Sequence, residues 1–403
     1  MIVRGGRVVT GGEIISAAIH IEDGVIRVVE RIGDADPSGP VILPGLVDTH
    51  VHINEPGRTH WEGFETATRA AAAGGVTTLI EMPLNSIPAT TSVAAFREKL
   101  AAAEGKLTVD CGFWGGVVPG NTSELEPLWR AGVFGFKCFL VASGVAEFEH
   151  VGEAQLREAM PVLARLGAPL LVHAESPEYL PTRPPQSECD AIAMMIRLAK
   201  KTGARVHIVH LAAIEALPLI EAAQAAGVAI SVETCPHYVA FDEVPAQSYL
   251  FKCAPPIRSG LRGALSRIGM VVSDHSPAPP EMKQRDYDLA WGGIASLELG
   301  LSVMATIHDS LTDLAKWMCE APARLAGLST VGRIAPGCEA NLIVFDPDAV
   351  WIVNAEKLHQ RHKLTPYAGR ELRGRVTVTY LRGEKIYDDG EFAAPKRGRI
   401  LTR

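Results

Sequence analysis

Eight short apolar runs recur through the middle of the chain, several of them followed by an alanine-rich stretch with helical spacing. The runs are ILPGLVDTHVHI, TTLIEMP, VDCGFWGGV, GVFGFKCFL, PLLVHAE, RVHIVHLA, AISVETC and MVVSDHS. Between them lie FETATRAAAAGG, TSVAAFREKLAAAEG, GEAQLREAMPVLARLG, ECDAIAMMIRLAKKTG and IEALPLIEAAQAAG. Strands that are apolar on both faces and alternate with helices belong to a parallel sheet covered by helices. Eight such units predict a (β/α)8 TIM barrel, with its reactive groups at the C-terminal ends of the strands.

The two ends of the chain read differently. IVRGGRVVT, IISAAIHIEDG and VIRVVERIG alternate apolar and polar residues between glycines, and NLIVFDP, WIVNAEKL and GRVTVTYLRGEKIYDDG repeat that style, with a hairpin turn expected at Arg382-Gly383. The expectation is one small β-sandwich domain built from 1–43 and 335–403, flanking a barrel over 44–334. With 403 residues, 47% of them hydrophobic, a large core is within reach.

Lys and Arg number 39 against 46 Asp and Glu, a net charge of -7 that gives no general pull toward nucleic acid or acidic membranes. No apolar run approaches about 18 residues, and MIVRGGRVVTGGEII has no signal-like apolar segment. The seven cysteines include no CxxC pair, which argues against a disulfide framework or thiolate zinc site and for a reducing, cytoplasmic setting.

The chemistry concentrates at the strand ends. His50 and His52 stand two apart at the end of the first run, so both imidazoles can reach one ion. That spacing alone is weak. His173, His210 and Asp274 end three later runs, and four histidines and an aspartate at four strand ends are hard to assign to packing. Imidazole and carboxylate without thiolate suit zinc or a related divalent ion. Lys137, within FGFKCFL, is a surface or salt-bridged lysine on base rates. Inside an apolar strand, however, burial would free a neutral amine. Such an amine can react with carbon dioxide, and the carbamate could bridge two ions.

The motifs LPGLVDTHVHINEPGRTHWEGFETATRAAAAGGVTT, EMPLNSIPATT, FKCFL, VHAESPE, HIVHLA, ETCPHY, FKCAPPIR, VSDHSPAPPEMK, WGGIASLELGL and RHKLTPYAGREL resemble those of the amidohydrolase superfamily. More narrowly they resemble the cyclic amidohydrolases, and among these the allantoinase group. The resemblance spans essentially the whole chain, and EMPLNSIPATT, SDHSPAPPEMK and RHKLTPYAGREL are its most specific parts. It implies a binuclear site holding two divalent ions, Zn2+ or else Co2+, Mn2+ or Fe2+. His50, His52 and Asp274 would hold the more buried ion, His173 and His210 the second, and Lys137, carbamylated by CO2, would bridge them.

By the same resemblance, water activated by the ions attacks a ring carbonyl of allantoin, with Asp274 as catalytic base and then acid, to give allantoate. It further implies a homotetramer and a small-molecule substrate, while charge and hydropathy point to no nucleic acid or membrane partner. Asn54 follows the histidine pair by two residues on the same run, so strand alternation would point it into the substrate pocket, at the place where dihydroorotase-like sequences carry a carboxylate-binding Arg, and the resemblance adds the backbone near Ala254 and Gly292. Hydantoinase- and dihydropyrimidinase-like relatives have a Tyr five residues after the bridging Lys, where this chain has Ala142. A hydantoinase-type enzyme and a non-catalytic scaffold of the same fold are the alternatives. His237 reads equally as a partner of the site or a core residue, His275 should point away from the site, and Trp291 reads first as packing. Three connections, after Glu175, after Arg258 and after Lys283, are shorter than the resemblance leads one to expect. Either they are truly short or residues are missing from the sequence there.

Overall fold

A computed structural model describes residues 1–36 and 38–403. At the N-terminus, β1 (Ile2–Thr10), β2 (Glu13–Glu22), β3 (Val25–Asp34) and β4 (Val41–Pro44) precede the barrel strands β5 (Leu46–Val51), β6 (Val76–Glu81), β7 (Asp110–Phe113), β8 (Gly115–Gly116), β9 (Phe136–Phe139), β10 (Pro169–His173), β11 (Arg205–Ile208) and β12 (Ile230–Val232). After the barrel come β13 (Leu342–Ile352), β14 (Glu371–Leu381), β15 (Glu384–Asp388) and β16 (Glu391–Phe392).

The barrel strands run in parallel registers, β5-β6-β7 and β8-β9-β10-β11-β12, with β7 and β8 forming one bent strand. Segment 270–275 closes the ring. It makes parallel bridges at Val271 to Thr234 and at His275 to Val51, and the His52 N–H donates to the His275 carbonyl at 2.8 Å. This eighth strand is reduced to bridges because Asp274 lies in the left-handed region (φ 44) and the Ser273 N–H donates to the Asp48 carboxylate instead of a neighbouring strand.

Helices α1 (Phe64–Ala73), α2 (Val93–Ala103), α3 (Leu125–Ala131), α4 (Glu153–Leu166), α5 (Pro185–Thr202) and α6 (Leu217–Ala225) cover the ring. In α5, Cys189, Ile192, Met195 and Leu198 are buried at three-residue steps, making one apolar stripe toward the barrel. Each large side chain so buried contributes about 1.5–3 kcal/mol. The helix stops at Gly203, whose positive φ of 75 a side chain would strain.

The terminal strands hydrogen-bond in the order β16-β15-β14-β13-β4-β1-β2-β3. Bulges in β1, β3, β13, β14 and β15 bend these strands, and Val8, Ile19, Ile26, Ile42 and Leu342 fill their own core cluster. The hairpin between β14 and β15 turns at Arg382-Gly383, both with positive φ. The fold is therefore a (β/α)8 barrel joined to a β-domain drawn from both ends of the chain.

Candidate metal centre

Each barrel strand delivers its last residues to one rim, and five of the six expected ligands converge there by direct contact. His50 Nε2 lies 3.2 Å and His52 Nε2 3.5 Å from Asp274 Oδ1. His210 Nε2 lies 2.9 Å from His173 Nδ1, and the His50 and His210 ring centroids are 5.4 Å apart. His50, His52 and Asp274 form a group whose ligand atoms all lie close enough to share one ion. Asp274 (φ 44) and His210 (φ 40) sit just past their strands in the left-handed region. Such backbone strain gathers at functional positions.

Lys137 stands on β9 with its Nζ 4.9 Å from the Phe139 ring centre, and the amine is buried without a hydrogen-bond acceptor. Burial pushes it down to about 8, against the pull of Asp274 and Glu233. Burial also depresses all four imidazoles, and the Lys137 charge adds to the effect at each of them, which puts the amine in their midst. At neutral pH the four rings are therefore uncharged, each with a lone pair to offer.

Buried carboxylates decide which nitrogen that is. Glu233, just beyond β12, takes His50 Nδ1 at 2.6 Å and His207 Nε2 at 2.9 Å, which leaves His50 Nε2 facing the site. Glu175 takes His173 Nε2 at 2.7 Å, leaving Nδ1 facing His210. Asp48 accepts the N–H of His50 and the N–H of Ser273, both at 3.1 Å, and so ties the first strand to the eighth. Burial pushes Asp48 up to about 7.

None of these three carboxylates was identified as a site group from sequence. The available signal was position: Glu233 follows a strand exactly where the ligands do, and Asp48 shares the His50 face of β5. Two neighbouring lone pairs on His173 and His210, an orphaned amine and a carboxylate are a donor set that fits divalent ions.

The rim opens into an inner cleft lined by His50, His52, Asn85, His173, His210, Asp274, Ala254 and Gly292 among others, and this runs into an outer cleft of about 830 Å³. Ala254 and Gly292 line both parts. Asn54 lines neither. The strand ends at Val51, and Asn54 turns into the left-handed region (φ 68). It is fully buried and absent from the lining of either cleft, so alternation along β5 does not bring it into the cleft.

His275 points away, toward the Ser296 N–H at 3.2 Å and Glu62. His237 is buried beside Cys235 and Asp274 with neither ring nitrogen paired. Trp291 packs on Trp61 and also lines the cleft. Ala142 lies in the outer cleft.

The family model described as the amidohydrolase family matches residues 41–386. The chain is 45% identical to an allantoinase of Streptomyces avermitilis over 439 aligned positions, covering 100% of this chain and 98% of that one. It is 39% identical to an allantoinase of Escherichia coli over 445 positions, with 100% and 98% coverage. It superposes on the L-hydantoinase (dihydropyrimidinase) of Arthrobacter aurescens with a TM-score of 0.94 at 31% identity, covering 100% of this chain and 99% of that one. Alignments of 439 and 445 positions against 403 residues mean that these relatives carry segments this chain lacks.

Proposed function

The chain belongs to the amidohydrolase family, and on that premise we propose that it hydrolyses the ring amide of allantoin to give allantoate. The observation that carries this reading is a buried group of four uncharged imidazoles opening on an inner cleft whose lining includes no lysine or arginine among the described residues. Such a cleft suits a neutral ring rather than a carboxylate-bearing one, which would call for a cation.

His50, His52 and Asp274 would hold one divalent ion, His173 and His210 a second, and the carbamate of Lys137 would join them, with zinc fitting the donors. Bound there, the ions lower the pKa of water and polarise a carbonyl. The residues do the rest. Asp274 accepts the proton as the water oxygen bonds to the ring carbonyl carbon, and it returns that proton to the ring nitrogen as the C–N bond breaks. Glu233 and Glu175 keep His50 and His173 in one tautomer. Backbone at Ala254 and Gly292 pairs with the ring amides. The enzyme works as a cytoplasmic homotetramer. No helix is long and apolar enough to cross a membrane, among the described residues.

The test is turnover by metal-loaded protein of allantoin, hydantoin, dihydrouracil and dihydroorotate in parallel. Allantoin should be the preferred substrate. Turnover of dihydrouracil without allantoin would replace this reading with a dihydropyrimidinase one.

A further inference from the structure

Trp291 occupies the boundary of the cleft, lining both its inner and its outer part. Its backbone is held on both sides: the N–H donates to the Met282 carbonyl at 2.9 Å, and its own carbonyl accepts from Lys283 Nζ at 3.1 Å. The indole packs edge to face on Trp61, with centroids 4.9 Å apart at 70°. Packing accounts for the ring's position but leaves its polar atom unexplained. The Nε1–H is buried and has no acceptor in the protein. A buried indole N–H ordinarily finds a partner, and an unpaired one calls for an explanation.

Taking the allantoin reading as its basis, we infer that Trp291 is a specificity residue whose Nε1–H donates to the carbonyl of the ureido substituent on the hydantoin ring. Its place in the cleft selects that group. Asp274, His50 and His210 line only the inner part, where the reacting ring must lie, whereas Ala254 and Gly292 line both parts. Trp291 belongs to the wall shared with the outer cleft, through which anything attached to the ring has to leave. A ureido group is planar, matches the face or edge of an indole, and carries a carbonyl acceptor. An alkyl substituent of similar length offers no acceptor and leaves the N–H unpaired. Sites built to pair a polar group reject substrates that lack it.

The experiment changes the donor on the enzyme and the acceptor on the substrate. Kinetics with allantoin and 5-propylhydantoin are compared for the wild type and Trp291→Phe, which keeps a ring against Trp61 and deletes the N–H. The wild type should favour allantoin, and in Trp291→Phe the ratio of kcat/KM for allantoin to that for 5-propylhydantoin should fall about tenfold, mainly through KM. Equal losses on both substrates, or an unchanged ratio, would make Trp291 a packing residue and overturn the inference. Should the variant fail to fold, as judged by metal content and melting temperature, the wild type alone decides, because equal use of the two substrates also overturns it. A wild type that opens hydantoins but not allantoin refutes the functional reading instead, a result visible before any variant is made.

Discussion

Two buried imidazole N–H groups converge on Glu233: His50 Nδ1 at 2.6 Å and His207 Nε2 at 2.9 Å. Glu233→Ala deletes both acceptors. Each orphaned buried donor costs about 1–3 kcal/mol, so the loss of stability should be about 2–6 kcal/mol. Glu233→Gln keeps the volume but offers only one acceptor oxygen. His207 has a way out, because its Nδ1 lies 2.8 Å from the Ser231 hydroxyl oxygen. It can move its proton to that nitrogen, donate to Ser231, and accept from the new amide with Nε2. Glu233→Gln should therefore cost only about 1 kcal/mol of stability. What it loses is the charge that holds His50 in the tautomer with a free Nε2, so zinc affinity should fall about 10–100-fold. Chelator competition measures that affinity, and activity titrated against free zinc should show the same shift, with recovery at high metal. If both variants bind zinc as tightly as the wild type, Glu233 does not orient His50, and the account of this site is wrong.

Lys137→Ala should abolish most activity and reduce the bound metal measured by elemental analysis, whereas full activity would remove the carbamate bridge. Because burial holds Lys137 down to about 8, its neutral fraction grows as pH rises through that value. At a fixed concentration of dissolved CO2, reconstitution of metal-free protein with zinc should thus be about twentyfold faster at about pH 8.5 than at about pH 6.5, and the rise of about 100-fold expected of an ordinary lysine would contradict the depressed amine. The four site imidazoles are all depressed, chiefly by burial, so the unfolded chain binds protons more readily than the fold does. Stability of the metal-free protein should be full above the ordinary histidine pKa and fall as pH drops below it, which urea midpoints across that range would show. Met195→Ala, in the buried stripe of α5, should cost about 2–5 kcal/mol by denaturant titration while leaving metal stoichiometry intact.

The order of elements was legible because its physics is local. Apolar runs buried on both faces and helices with one apolar stripe declare themselves in a few residues, and the chain's two ends share a strand-and-turn texture that differs from the middle. The candidate ligand types were legible for the same reason. His50, His52, His173, His210 and Asp274 stand at or just past strand ends and Lys137 lies within the short strand β9, and a parallel barrel sends the ends of its strands to one rim.

Strand alternation failed at Asn54. A period of two holds only while the backbone stays extended, and here the strand stops at Val51. The eighth strand survives only as bridges, because Asp48 draws the Ser273 N–H away from the ladder. The roles of Glu233, Glu175 and Asp48, the depressed amine of Lys137 and the unpaired N–H of Trp291 depend on groups far apart in the chain. Sequence by itself determined which residues could do this chemistry. Only tertiary structure decided which nitrogen each histidine offers and which buried groups stay unpaired, because desolvation and hydrogen bonding are set by what packs around a side chain, not by its neighbours in sequence.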